Sequence, residues 1–300
     1  MRADSSLPPV PPGAWPGSRD LLERALQRSR SALSAGALIP LETCLEREPA
    51  LEPFQVRHLL SRTPKHLREP GPRANPFLPW DSRLEVERFD TGHVVLLNKF
   101  PVQPGHLLLI TDHWQPQDGW LNARDWAAMA RMESDTSGLW FFNSCGAAGA
   151  SQPHRHLQLL PRSGSERACP LEQRYRLGAE RAARGSGHQR LDPWWAMVSP
   201  RRERDPARRA GELAGLYRHH LGVLDCGSPE QQVRPAAPYN LLITPDWFLT
   251  IRRRRERQAG ISVNALGFAG YLLTTERADR DWLRRHGGDG LLQEVVATVP

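Results

Sequence analysis

The stretch from Asn143 to Pro161 organises the rest of the chain, and it reads N-S-C-G-A-A-G-A-S-Q-P-H-R-H-L-Q-L-L-P. A loop of small residues, 144–151, precedes three polar side chains spaced two apart: His154, His156 and Gln158. Successive side chains of a β-strand point to opposite faces, so these three share one face, and Leu157 and Leu159 point to a core on the other. Glycine lets backbone N–H groups approach an anion closely. The stretch therefore predicts two imidazoles and an amide beside a phosphate-binding loop.

Three interpretations of H-R-H-L-Q compete. Two histidines on one strand face can ligate zinc, but zinc needs a third or fourth ligand, and no cysteine or carboxylate pattern stands nearby. Both histidines can also be structural groups, hydrogen-bonded within a polar core. The third interpretation is covalent catalysis, in which a neutral imidazole attacks phosphorus and forms a phosphoramidate. The small-residue loop beside the histidines favours this third interpretation.

Gln158 indicates which leaving group such a site can expel. An amide side chain cannot give up a proton, so it cannot protonate a departing amine or alkoxide. A nucleoside di- or triphosphate leaves as a stable anion and needs no acid. The pattern therefore predicts transfer of a nucleotidyl group between phosphates.

The composition is that of a globular protein, and 300 residues can form one large domain. We expect a disordered proline-rich N-terminus, 1–17, and a single domain, 18–300, with an arginine-rich insertion around 162–210. No stretch approaches the ~20 apolar residues of a membrane span, and prolines interrupt any apolar signal sequence. The four cysteines form no close pair, so we expect reduced thiols in a cytoplasmic protein.

The net charge is +7, and only two of the 40 basic residues are lysine, Lys65 and Lys99. A GC-rich genome alone can cause such a preference for arginine over lysine. The arginines are spread along the chain rather than concentrated in one block. A positive balance suits a polyanion, and a highly charged small molecule fits it as well as a nucleic acid does. We expect small-molecule partners, with no nucleic acid, no membrane and a monomeric chain.

Hydrophobic periodicity predicts an α+β domain built on an antiparallel sheet. Helices are expected over 19–34, capped by Ser18 and ended at Gly36, over 123–133 and 212–224, and from about 277 or 279. Strands are expected over 84–89, 93–100, 106–111, 139–144, 154–160, 239–244 and 247–252. The segment 194–198 is expected to be an apolar docking segment, and the run 252–255 a solvated loop.

The motif H-x-H-x-Q resembles the transferase branch of the histidine triad (HIT) superfamily, and in particular ATP adenylyltransferase, also called diadenosine tetraphosphate phosphorylase. The resemblance covers residues 50 to 275 and rests on G-A-S-Q-P-H-R-H-L-Q at 149–158. Weaker blocks occur in the same order: N-P-F-L-P at 75–79, V-L-L-N-K-F at 95–100, H-L-L-L-I-T at 106–111, F-F-N-S at 141–144, Y-N-L-L-I-T at 239–244 and I-S-V-N-A-L-G-F-A-G at 261–270. It implies a HIT-like antiparallel sheet with flanking helices.

The resemblance also implies a double-displacement reaction. His156 would attack the α-phosphorus of diadenosine tetraphosphate and release ATP, and inorganic phosphate would then take the adenylyl group to give ADP. His154 would support the nucleophile, and Gln158 would bind a phosphate oxygen. The implied substrate-binding positions are Lys65, Asn98, Lys99, Asn143, Gly149, Ala150, Ser151, Gln152, Asn264, Ala265, Leu266 and Tyr271. No protein-bound cofactor or metal is implied, although a divalent cation such as Mg²⁺ would accompany the polyphosphate.

The sequence departs from the family pattern at 145–148, where a C-G-A-A segment puts contacts through a serine side chain in doubt, and at Arg155, which replaces a lysine but should face away from the site. Two alternatives remain. Hexose-1-phosphate uridylyltransferases use H-P-H-x-Q with the same covalent logic, whereas a nucleotide sensor or an RNA-binding protein would have no turnover.

Overall fold

The computed structural model describes residues 20–61, 75–162, 166–191 and 196–297. The expected disordered segment 1–17, the helix cap Ser18, Lys65 and the two tryptophans at 194 and 195 lie outside these residues. The helices are α1 Asp20–Ser34, α2 Ala123–Asp135, α3 Glu172–Arg184, α4 Pro206–Val223, α5 Ala265–Ala269 and α6 Arg280–Val295. The strands are β1 Thr43–Glu46, β2 Gln55–Leu59, β3 Glu85–Phe89, β4 His93–Leu97, β5 Leu107–Thr111, β6 Gly138–Asn143, β7 His156–Pro161, β8 Gln189–Arg190, β9 Ala196–Pro200, β10 Tyr239–Ile243, β11 Trp247–Arg252, β12 Arg257–Gln258, β13 Ile261–Ser262 and β14 Tyr271–Thr274.

One long sheet carries the fold. Within the described residues it has nine strands in the order β3-β4-β5-β7-β6-β10-β11-β9-β8, and every neighbouring pair is antiparallel. A smaller sheet has the order β1-β2-β14, with β14 parallel to β2. The predicted α+β class with an antiparallel sheet is therefore confirmed.

Apolar side chains cover the large sheet from both faces. On one face, Leu157 and Leu159 pack in a core cluster with side chains of α1, α2 and α4. On the other face, Phe141 and Leu160 pack with side chains of α3, α5 and α6. Because side chains alternate along β7, the two leucines of the motif are buried in one core while Gln158 points to the opposite face. This confirms the predicted direction of Leu157 and Leu159.

Local capping explains where the helices begin. The side chain of Asn122 accepts a hydrogen bond from the N–H of Arg124, and the carboxylate of Asp125 accepts one from the N–H of Asn122, which forms a capping box at the predicted start of α2. The helix expected at 212–224 begins earlier, at Pro206, because Asp205 caps it and proline fits the first helical turn. Helix α1 ends at Ser34, and Gly36 has φ +67, as the predicted stop requires.

Three expectations about local structure were wrong. The segment 196–198 belongs to β9, which pairs with β11 inside the sheet, rather than to a separate docking segment. The strand expected at 154–160 begins only at His156, since Pro153 has no N–H for a ladder and His154 forms an isolated bridge with Pro116. Arg253 is only 1% exposed, so the run at 252–255 is not a solvated loop.

No helix in the described ranges is both long enough and apolar enough to cross a membrane.

Candidate active site

The site lies where strands β6 and β7 separate. Their pairing runs from Gly138 with Pro161 to Phe141 with Gln158 and ends there. Beyond this point the buried amide of Gln117 fills the gap: its Nε2 donates to the carbonyl oxygen of Asn143 at 2.7 Å, and its Oε1 accepts from the N–H of His156 at 2.8 Å. These hydrogen bonds fix the backbone of His156, although β7 no longer pairs with β6 at this point.

A hydrogen bond sets the tautomer of His156. Its Nδ1 lies 2.8 Å from the carbonyl oxygen of His154. A carbonyl oxygen only accepts, so Nδ1 carries the proton of the neutral ring and Nε2 carries the lone pair. An imidazole held in this way presents Nε2 as a nucleophile.

His154 has both ring nitrogens occupied. Nε2 donates to the carbonyl oxygen of Thr111 at 2.8 Å, and Nδ1 accepts from Nδ2 of Asn75 at 2.9 Å. The carboxamide of Asn75 can only be oriented one way, because its Oδ1 accepts from the N–H of Phe77. His154 therefore contacts the nucleophile through its main-chain carbonyl, and its ring anchors the turn at 75–77.

The ring of Phe77 packs against both histidine rings. Its ring centroid is 5.6 Å from that of His154 and 5.5 Å from that of His156. Trp114 contacts His154 at 5.5 Å from another side. The N-P-F turn thus packs on both imidazoles, which restricts their rotation.

A chain of hydrogen bonds orients the amide of Gln158. Asn98 Oδ1 accepts from the N–H of Phe100, so its Nδ2 donates to Nδ1 of His106 at 3.3 Å. Nε2 of His106 must then carry the proton, and it donates to Oε1 of Gln158 at 3.1 Å. With Oε1 occupied in this way, the NH₂ group of Gln158 is the part of the amide that can donate to a ligand. This chain also gives the side chain of Asn98 an indirect place in the site, through His106.

Burial keeps the three imidazoles neutral. It lowers the pKa of His156 to about 4 and that of His106 to about 3, although a hydrogen bond opposes the shift in each case. The pKa of His154 is also lowered, first by burial. A neutral His156 is the form that can attack phosphorus.

The small-residue loop uses several of its own N–H groups. The N–H groups of Ala148 and Ala150 donate to the carbonyl oxygen of Cys145, and that of Gly149 donates to Gly146, all at 2.9 Å. These groups are therefore not directed at an anion as the sequence suggested, because a short 3₁₀ turn at Gly146–Ala148 closes the loop on itself. Gly149 and Ala150 can still line a phosphate by their small size.

Asn143 joins this loop to helix α5. Its Oδ1 accepts from the N–H of Ala265 and from Nδ2 of Asn240, both at 2.8 Å, which leaves its own Nδ2 to offer a ligand. Asn264 caps α5 by accepting from the N–H of Leu266. A Cβ on Gly149 would lie 2.6 Å from Cβ of Asn264, so only glycine allows this contact. Residues predicted in the middle of the chain and in its C-terminal part meet here.

The other predicted residues lie around this centre. Lys99 is exposed, and its ammonium lies 6.0 Å from the ring of Phe100. The hydroxyl of Tyr271 accepts from Arg162 at 3.2 Å. Ser151 and Gln152 continue the loop toward His154 and are half-buried, whereas Leu266 is buried. Lys65 lies outside the described residues and stays a prediction.

Sequence reasoning did not assign a role to His106, Asn75 or Gln117. His106 and Asn75 stand in the blocks H-L-L-L-I-T and N-P-F-L-P, which support the family resemblance but do not by themselves indicate a role for either residue. Nothing in the sequence pointed to Gln117, whose partners are 26 and 39 residues away.

Among the residues that the structure describes, no group of three or more His, Cys, Asp or Glu side chains could hold a metal ion. The predicted divalent cation belongs to the substrate, and it stays a prediction.

Comparison with known proteins places both halves of the chain. The protein-family model of the N-terminal domain of Ap4A (diadenosine tetraphosphate) phosphorylase matches residues 15–176. The family model of the C-terminal domain of ATP adenylyltransferase matches residues 189–298. Protein APA1 of Saccharomyces cerevisiae is 26% identical over 85% of this chain and 87% of its own length. Diadenosine 5',5'''-P1,P4-tetraphosphate phosphorylase 2 of the same yeast is 32% identical over 29% of this chain and 31% of its own.

The fold agrees with these matches. The crystal structure of yeast Ap4A phosphorylase Apa2 in complex with AMP superposes with a TM-score of 0.70 at 21% identity, over 94% of this chain and 97% of that one. This likeness confirms the HIT-like fold that the motif predicted. Together, the two family models show that the chain belongs to the ATP adenylyltransferase (Ap4A phosphorylase) family of nucleotidyltransferases.

Proposed function

We propose that the chain catalyses the phosphorolysis of diadenosine tetraphosphate through an adenylyl-histidine. Nε2 of His156 attacks an α-phosphorus, the bond to the bridging oxygen breaks, and ATP leaves. An oxygen of inorganic phosphate then attacks the same phosphorus, the bond to Nε2 breaks, and ADP forms. The observation that carries the proposal is the hydrogen bond from Nδ1 of His156 to the carbonyl of His154, which leaves Nε2 unprotonated.

Gln158 assists both steps in the same way. Because His106 occupies Oε1 of Gln158, the amide NH₂ group is the part that can donate to a phosphoryl oxygen as negative charge grows on it. Each leaving group is already stabilised: ATP leaves as an anion, and the imidazole of His156 regains its neutral form. No general acid is therefore needed.

The predicted substrate-binding residues take supporting roles in this proposal. Asn143, Gly149 and Asn264 form one contiguous group, where Asn143 Nδ2 can donate to a phosphate and α5 can border the adenosine. Lys65, Lys99 and Tyr271 remain proposed contacts. A divalent cation would arrive with the polyphosphate as part of the substrate.

The experiment offers the protein two donor and acceptor pairs. Diadenosine tetraphosphate with phosphate should yield ADP and ATP in equal amounts, measured by ion-exchange chromatography. UDP-glucose with a hexose 1-phosphate tests the uridylyltransferase alternative and should yield no exchange. Turnover of the second pair alone would reject the proposal, and binding of nucleotides with no turnover of either pair would favour a sensor.

The pH dependence of the first step should reveal the lowered pKa of His156. Neutral imidazole is the attacking form, so the rate should stay flat as the pH falls through 6.5 and should be lost only as it approaches about 4. Rapid-quench measurement of ATP release without phosphate checks this, since phosphate does not titrate in that step. Folding must be followed by circular dichroism at each pH. A protein that buries neutral histidines becomes less stable as the pH falls below the pKa that those histidines have in the unfolded chain. A midpoint near 6.5 in folded protein would contradict the assignment.

A further inference from the structure

Arg253 is a buried cation without a carboxylate partner among the described residues. Its guanidinium donates to Oδ1 of Asn240 at 2.5 Å and otherwise to backbone carbonyl oxygens: Ala148, Val263, Val295, Arg255 and Glu256. The ring of Phe268 lies 5.1 Å from it. The nearby carboxylate of Glu256 is bound by Arg257 and Ser262. A buried charge without an ion-pair partner costs stability. Arg253 is nevertheless only 1% exposed, which suggests a role for its charge.

Asn240 extends this contact to the site. It is fully buried and stands opposite Asn143 on the neighbouring strand. With Oδ1 held by Arg253, its Nδ2 donates to Oδ1 of Asn143 and to the carbonyl oxygen of Ala148, both at 2.8 Å. The amide orientation of Asn143, and therefore the group it offers to a ligand, follows from Arg253.

Arg253 also joins the two segments that border the nucleotide. It bonds the carbonyl of Ala148, at 3.4 Å, and that of Val263, at 2.8 Å. The next residues along the chain, Gly149 and Asn264, are the pair that only glycine allows to touch. The guanidinium thus bonds the residues that immediately precede the contact between the small-residue loop, the proposed phosphate loop, and α5.

The charge of Arg253 persists despite its burial. Desolvation lowers its pKa to about 9, so it remains protonated at neutral pH. Among the described residues the charge of Glu256 favours the protonated form without forming an ion pair with it, and a cation in a low-dielectric region acts over a longer distance than a solvated one. A polyphosphate bound in front of the loop would therefore serve as its counterion.

Resting on the nucleotidyl transfer proposed above, we propose that Arg253 and Asn240 are positioning residues: the guanidinium fork fixes the phosphate loop, Asn143 and α5 relative to each other, and its charge favours ligands with more phosphates. Neither side chain needs to touch the substrate for these effects.

Arg253→Lys and Arg253→Gln form a matched pair, since both lose the fork and only lysine keeps the charge. Both should lower kcat for diadenosine tetraphosphate about tenfold. Binding of AMP, ADP and ATP is measured by calorimetry in the His156→Ala background, where no transfer occurs. The Gln variant should lose about tenfold more affinity for ATP than for AMP, whereas the Lys variant should keep the wild-type ratio. Arg254→Met, which removes an exposed charge of the same run, should match wild type in both measurements.

Equal ATP-to-AMP ratios in the Lys and Gln variants would overturn the electrostatic part, and wild-type kcat in the Lys variant would overturn the positioning part. If neither variant folds, or if only the Gln variant fails to fold, Arg253 is a structural tie and the proposal fails. Wild-type protein that binds these nucleotides but does not turn over diadenosine tetraphosphate would instead reject the proposed function, because binding is measured without turnover.

Discussion

Replacing His156 with alanine should abolish the formation of ADP and ATP from diadenosine tetraphosphate and phosphate, with a loss of at least about 10⁴-fold in kcat. The substitution removes Nε2, the atom that the geometry offers for attack on phosphorus, whose lone pair is set by the hydrogen bond from Nδ1 to the carbonyl of His154. Substrate binding should change little, because the substitution leaves the groups that border the nucleotide and the amide of Gln158 in place. The loss should therefore fall on kcat and leave KM nearly unchanged.

Intact-protein mass spectrometry gives the decisive measurement. Wild-type protein mixed with diadenosine tetraphosphate in the absence of phosphate should gain the mass of one adenylyl group, and acid should remove it, since phosphoramidates are acid-labile. His156→Ala should gain nothing. His113→Ala is the control: its ring is 88% exposed and pairs with Asp112, so its removal should alter neither trapping nor turnover. Adenylylation of the His156→Ala protein, or normal turnover without any trapped group in wild type, would reject the covalent mechanism.

The chemistry of this site was predictable because its central residues are close in sequence. The spacing of His154, His156 and Gln158 and the loop before them lie within one stretch, and a strand period of two residues is enough to place them on one side. The tautomer of His156 was not predictable, because it depends on a carbonyl position that the separation of β6 from β7 creates.

Residues whose roles depend on distant partners escaped prediction. Arg253 looked like part of a charged surface run because four arginines stand together, yet its partners include Ala148, which is 105 residues away. His106 acts on Gln158 from 52 residues away. Periodicity describes which way a side chain points along its own element, but it does not say what another element brings there. The fold class followed from local pattern, whereas the support of the site came from tertiary contacts.

The strand pattern predicted the direction of the Arg155 side chain, whereas its partners come from tertiary contacts. The strand pattern predicted that it faces away from the site, and it does, toward α2. There it is 3% exposed, and its Nη1 lies 3.1 Å from Oδ2 of Asp125, whose other oxygen is 3.0 Å from Nε2 of His93. The residue between the two catalytic-site histidines is thus part of a buried ionic cluster. Its contribution concerns the stability of the segment that carries them, from the isolated bridge at His154 to the start of β7 at His156.

Replacing Arg155 with methionine should lower the free energy of unfolding by about 3–5 kcal/mol, because it leaves the fully buried carboxylate of Asp125 without its permanent cation. Urea denaturation followed by circular dichroism measures this change. Arg131→Met is the matched control on α2: Arg131 is exposed and lies 3.8 Å from a half-buried Asp135, so the substitution should cost no more than about 0.5 kcal/mol. Arg155→Lys, which restores the charge without the fork, should fall between wild type and the Met variant.

The double variant Asp125→Asn, Arg155→Met separates the charge from the packing. If an unpaired carboxylate causes the loss, neutralising Asp125 should recover part of it, so the double variant should be more stable than Arg155→Met alone. Additive losses would mean that the two residues act independently, and a loss near that of the exposed control would mean that water reaches the cluster. Because His154 and His156 flank Arg155, the Met variant should also lose kcat at temperatures where it is still folded, whereas the Arg131 control should not.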